Sequence, residues 1–136
     1  MSVVIDASIA MAWCFEDEAN ATADAVLDGL RDDDAVVPSL WQLEIANVLL
    51  AAERHGRISE AQAERFVGLL EQLPIRVEDE ATDMARVLGI GRRHGLSAYD
   101  VCYLALAERL GAPLATLDAE LAAAGRAAGV PVISTT

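Results

Sequence analysis

Ser2-Val3-Val4-Ile5-Asp6-Ala7-Ser8 opens the chain, and its reading decides the rest. Three β-branched apolar residues run directly into an aspartate, and two small residues follow. A short unbroken apolar run bounded by turn-formers predicts a strand covered on both faces. Asp6 then stands at the strand's carboxyl end, where open α/β sheets place their ligands. Ser8 is positioned to cap the helix that follows. A plain turn role for Asp6 is the competing reading of this stretch alone.

Outward from that strand the pattern alternates. Residues 9–30 read as helical, with Glu16-Asp17-Glu18 starting a second helix, since acids suit the positive end of a helix dipole. Ala35-Val36-Val37 predicts a strand stopped by Pro38. Ser39 is expected to cap a helix over 39–55 that Gly56 ends. That helix is apolar almost all round, through Leu40, Trp41, Leu43, Ile45, Val48, Leu49 and Leu50, which predicts burial on most sides. Glu44 and Asn47 lie three apart on one of those faces. Glu44 is thus an acid where solvent has little reason to be, with a surface glutamate as the alternative.

Ser59 and Gln62 form a capping box for a helix to about Leu73. Residues 74–77 predict a third strand. Residues 80–94 predict a helix with Met84, Val87, Leu88 and Ile90 facing in and Gly95 ending it. Ser97 and Asp100 fit a capping motif ahead of the apolar helix 101–110, so Asp100 is either a cap or a carboxylate at the positive end of a buried helix. Leu114-Ala115-Thr116-Leu117-Asp118 repeats the logic of the opening strand, and Asp118 either caps the helix to Ala128 or joins the other acids. Residues 130–133 predict the last strand. Five short strands alternating with helices predict a parallel, three-layer α/β/α domain with right-handed crossovers over 1–136.

Composition narrows the chemistry. The 136 residues are the size of one ordinary domain, and 54% of them are hydrophobic, enough for a substantial core. A formal charge of −12 argues against charge-driven nucleic-acid binding and favours a metal cation or a basic protein partner. All ten basic residues are Arg, which removes every mechanism that needs a lysine. Cys14 and Cys102 have no metal spacing and read as reduced, buried, small apolar residues. No signal-peptide pattern is read ahead of the first strand, and the most apolar helix is too short to span a bilayer, so a cytoplasmic protein is expected.

Four acids stand out: Asp6, Glu44, Asp100 and Asp118. Brought together they repel, by roughly 4 kcal/mol for a pair about 4 Å apart at an effective dielectric near 20. A cluster kept despite that repulsion implies a cation. An all-oxygen set without His or Cys favours Mg²⁺ or Mn²⁺ over Zn²⁺ and suits phosphoryl chemistry.

Asp6-Ala7-Ser8 after an opening strand, Pro38-Ser39 leading to Glu44 and Asn47, Leu96-Ser97-Ala98-Tyr99-Asp100 before an apolar helix, and Leu114-Ala115-Thr116-Leu117-Asp118 together resemble the PIN domain. Their order and spacing resemble, more narrowly, the VapC-type toxins of bacterial toxin–antitoxin pairs. The resemblance covers the whole chain. It implies a Mg²⁺-dependent endoribonuclease, with Mn²⁺ able to substitute, that cuts RNA with a metal-activated water. Asp6 and Asp100 would be metal ligands, Glu44 a ligand or water-positioner, and Asp118 a less certain ligand. Ser8 and Thr116 would orient the acids or touch the scissile phosphate. The resemblance also implies a homodimer and a VapB-type antitoxin partner. Residues 39–73, presenting Trp41, Ile45, Val48, Phe66 and Leu70, offer an apolar seat for a partner helix, with core packing as the alternative for each.

Other folds that gather carboxylates fit less well. A phospho-receiver domain needs a lysine at its strand ends. An aspartate-nucleophile phosphatase needs a second Asp where Ser8 stands. No glycine-rich phosphate loop with Lys-Ser/Thr exists, and the glycines between Gly89 and Gly95 follow a helix with the wrong spacing for a dinucleotide site. His55 and His94 read as polar helix ends rather than catalytic bases. The remaining alternatives are a catalytically silent PIN-like binding module and a housekeeping RNA-processing nuclease.

Overall fold

The computed structural model describes residues 1–134. Strands β1 (Ser2–Ile5), β2 (Asp34–Val37), β3 (Ile75–Val77), β4 (Leu114–Ala115) and β5 (Val132–Ile133) form one parallel sheet in the order β3-β2-β1-β4-β5. Helices α1 (Ala7–Cys14), α2 (Ala21–Gly29), α3 (Leu40–Arg54), α4 (Glu60–Glu71), α5 (Met84–His94), α6 (Ala98–Leu110) and α7 (Ala119–Ala127) flank it in the expected α/β/α arrangement. The opening stretch is the central strand. Val4 and Ile5 are fully buried, as are Val36, Val37, Leu114 and Ala115 on its two neighbours. From β1 the chain winds outward to β2 and β3 on one side and β4 and β5 on the other. The reversal between β1 and β4 is a topological switch point, where a cleft opens beyond the carboxyl ends of the strands.

Several local expectations are corrected. Glu16–Glu18 is a separate 3₁₀ turn rather than the start of α2. Arg57 reaches across to it, pairing with Asp17 at 2.6 Å and Glu18 at 2.9 Å over the Phe15 ring. Asn20 caps α2 instead, accepting from the Thr22 and Ala23 amides. Ser39 does not cap α3. Its backbone is already helical, a cap needs an extended one, and its amide donates to Asp79 Oδ1. The Ser59–Gln62 capping box of α4 is present as read.

Helix α3 is not buried on most sides. One stripe, Trp41, Ile45, Leu49 and Ala52, enters the core, while Leu43 is 74% exposed and Asn47 lies in solvent. Likewise α5 begins at Met84 under an Asp83 cap rather than at Glu80, which is engaged by Arg109 and Arg86. It packs on α6 through the half-buried Val87 and Ile90; Met84 and Leu88 face solvent. Cys14 and Cys102 are free thiols, half-buried rather than buried. Of the five residues expected to offer a partner seat, Trp41, Ile45 and Leu70 are core, and Val48 and Phe66 pack partly against it. A cavity of about 530 Å³ remains beside them, lined by Trp41, Ile45, Val67, Leu70 and Ile75.

Candidate active site

Asp6 is the residue after β1, at the switch point, and is 5% exposed. Its two carboxylate oxygens are held separately. Ser8 Oγ donates to Oδ1 at 2.5 Å, and Thr116 Oγ1 donates to Oδ2 at 2.6 Å. Each hydroxyl in turn accepts a backbone amide: Leu117 N–H to Ser8 at 2.9 Å and Asp118 N–H to Thr116 at 3.0 Å. With a lone pair taken by the amide, each hydroxyl has its proton free for Asp6. The Ser8 cap expected for α1 is therefore not formed; Ser8 lies inside that helix and locks Asp6 to the loop after β4. The Trp41 indole donates to the Asp6 carbonyl at 3.4 Å and ties α3 to the same strand end.

Burial pushes the Asp6 carboxyl up to about 6, against the two hydroxyl bonds, which favour its ionised form. Asp100, in the first turn of α6 behind the Ser97 cap, is half-buried. Its carboxyl is raised by burial first, then by the negative charges of Asp118 and Glu44. Glu44 accepts from the hydroxyl of Tyr103, a buried residue one turn along α6 from Asp100. Burial and this bond hold the Tyr103 phenol well above its ordinary value. Asp118 caps α7 as the capping reading had it, accepting from the Glu120 and Leu121 amides through Oδ1, and it is exposed.

All six expected residues thus come to one end of the sheet. Asp6, Asp100, Glu44 and Asp118 are close enough to raise one another's or their neighbours' proton affinity. The ion pairs among the described residues involve none of these four acids. Among the described residues no three Asp, Glu, His or Cys side chains already close into a ready metal cage. The donors are all carboxylate oxygen, with hydroxyls behind them. That chemistry fits a hard divalent cation of the Mg²⁺ or Mn²⁺ type.

Two participants were not singled out by residue pattern. Tyr103 was readable in principle, three positions after Asp100 on a helix where a buried phenol needs a partner. Glu120, which adds to the negative field on Asp100, had no signal beyond an acidic first turn.

Residues 3–127 match the PIN domain family. The chain is a PIN-domain protein. A protein of Pyrobaculum aerophilum named Ribonuclease VapC3 is 30% identical over 124 residues, which cover 90% of this chain and 93% of that one. Ribonuclease VapC1 of Mycobacterium tuberculosis is 34% identical over 102 residues, covering 73% and 74%. The fold of this PIN domain is shared with VapBC2 of Rickettsia felis, solved bound to a DNA fragment from its promoter. That likeness has a TM-score of 0.70 and 11% identity over 98% of each chain.

Proposed function

We propose that this PIN-domain protein is a Mg²⁺- or Mn²⁺-dependent endoribonuclease and the toxin of a type II toxin–antitoxin pair. The observation that carries the reading is Asp6: a buried carboxylate at the switch point, oriented by two hydroxyls, beside three further acids. The two VapC relatives carry the name ribonuclease, which supports RNA as the substrate here.

Asp6 and Asp100 would hold the cation, with Glu44 as ligand or water-positioner and Asp118 at the rim. A bound divalent cation supplies charge neutralisation at the scissile phosphate and lowers the pKa of a water. Ser8 and Thr116 fix both oxygens of Asp6, so it presents its remaining lone pairs in one orientation. Tyr103 fixes Glu44 from α6. Attack of water on phosphorus, opposite the leaving 3′-oxygen, would give a 5′-phosphate and a 3′-hydroxyl.

A VapB-type antitoxin would seat an apolar helix in the cavity between α3, α4 and β3 and place an Arg among the acids. The active unit would be a homodimer. The test is incubation of purified protein with single-stranded RNA in Mg²⁺ or Mn²⁺ and then in chelator, with end-group mapping of the products. Cleavage only with metal, leaving 5′-phosphates, is expected. Cleavage that survives chelation, or a 2′,3′-cyclic phosphate end, would overturn the assignment.

A further inference from the structure

The turn that delivers Asp100 carries features the chemistry above does not use. Tyr99, the residue just before Asp100, is 65% exposed although it stands beside a half-buried acid. Its ring spends a large apolar face on solvent. The last turn of α5 carries Arg92, Arg93 and His94, and Arg92 and Arg93 are exposed. Gly95, at φ +67, reverses the chain there, a conformation that favours glycine. Gly91 lies against the Leu96 carbonyl and Val101, so this basic turn and the first turn of α6 share one end of the hairpin.

Five arginines are spent on ion pairs within the fold, while Arg54 and Arg65 on α3 and α4 carry none among the described residues. Arg31, Arg57, Arg76, Arg86 and Arg109 each face an Asp or Glu. Among the described residues neither Arg92 nor Arg93 has such a partner. In a chain of net charge −12, two exposed guanidiniums on the turn that leads into α6, with Arg93 lining a groove shared with Glu108, Ala127 and Ala128, offer a polyanion a positive edge. Their place in the last turn of a helix also suits the helix dipole, but that does not explain an exposed aromatic ring beside them.

We propose that Tyr99, Arg92 and Arg93 form the docking edge for single-stranded RNA. Tyr99 stacks on an unpaired base next to the scissile phosphate, and the two arginines hold the backbone phosphates leading to it. Stacking needs a splayed, unpaired base, so the edge selects single strands over duplex. This inference rests on the ribonuclease reading and adds to it where the strand lies.

The test uses the full chain, with a fluorescent single-stranded oligoribonucleotide bound in chelator so that binding is read without cleavage. Tyr99→Ala should weaken binding by roughly tenfold or more, and Tyr99→Phe, which keeps the ring, should recover most of it. The double variant Arg92→Gln/Arg93→Gln should lower the slope of log affinity against log salt by about 1.4, at about 0.7 per phosphate contact on single strands. Arg31→Gln, whose side chain pairs with Asp28 on the exposed α2 turn, should bind as wild type. In cleavage with Mn²⁺ the Tyr99→Ala loss should fall on KM rather than kcat. If wild type cuts RNA and Tyr99→Ala binds and cuts equally well, the docking edge is wrong and the nuclease reading stands. If Tyr99→Ala instead changes the mass in light scattering with RNA affinity intact, the ring belongs to a protein interface and the proposal falls. If wild type neither binds nor cuts RNA, both readings fall together.

Discussion

Asp6 carries two opposed demands. Burial favours its neutral form; the Ser8 and Thr116 hydroxyls favour its ionised form. Burial prevails, and the folded carboxyl titrates at about 6 against an ordinary 3.8. The folded state therefore binds more protons than the unfolded chain between those values. Its contribution is fully present below about 3.8 and is lost as pH rises through about 6, a difference of roughly 3 kcal/mol. Asp100 is shifted the same way, by burial and by Asp118 and Glu44. Asp6→Asn removes the charge but turns one amide N–H toward a hydroxyl that was itself donating, which costs roughly 1–3 kcal/mol. In chelator, Asp6→Asn should melt above wild type at pH 7. That advantage should shrink as pH falls and vanish near pH 4, where wild-type Asp6 is itself neutral and its carboxyl proton meets the same donating hydroxyls. Thermal melts of both proteins across this range check it. A variant that melts lower at pH 7 would mean that the hydroxyl network outweighs the burial of charge and that Asp6 is a structural residue.

At the scale of elements, α7 sits on the sheet with no room to spare. A Cβ built on Gly125 would stand 2.7 Å from Val132 Cγ2 and 3.6 Å from Leu114 Cδ2. Alanine is the better helix former by about 1 kcal/mol. The contact is with a short, stiff β-branched side chain on β5, which cannot swing away, and overpacking of this kind costs roughly 1–3 kcal/mol. Gly125→Ala should therefore lower the melting temperature despite its helix propensity, measured beside Gly68→Ala, where nothing lies within 4 Å and a gain is expected. The same element-level view explains α3 and α5. The apolar run of α3 read as burial on most sides, whereas only one stripe meets the core; the period of α5 gave an apolar face but did not show that it packs chiefly on α6.

Taken whole, the molecule carries a −12 charge and four acids at one end of its sheet. Their mutual repulsion is part of the metal-free fold. A cation that binds the native state alone stabilises it by mass action, by about 2.7 kcal/mol at a hundred times its dissociation constant. Mg²⁺ should raise the melting temperature of wild type beyond what NaCl of matched ionic strength achieves, since monovalent salt only screens. Asp6→Asn should lose most of that extra rise, whereas Asp33→Asn, whose partner is the chain's amino terminus, should keep it. An equal rise in NaCl would leave screening as the whole effect and remove the support for a cation among these acids.

The alternation of strands and helices was legible in the sequence because burial on both faces and helical period are local properties, written in runs such as Val3-Val4-Ile5 and Val101 to Ala107. Capping was legible for the same reason at Ser59 and Ser97, where donor and acceptor lie three residues apart. The four acids stood out by their places, Asp6 and Asp118 at strand ends, Asp100 opening an apolar helix and Glu44 lining another. How they are held was decided only by tertiary structure. Thr116 meets Asp6 across 110 positions, Leu117 meets Ser8 across 109, and Tyr103 meets Glu44 across 59. The Ser8 hydroxyl donates to a carboxylate two residues away and accepts an amide from the far end of the chain. That second partner depends on the strand order that sets β4 beside β1, and no spacing within the chain encodes that neighbour.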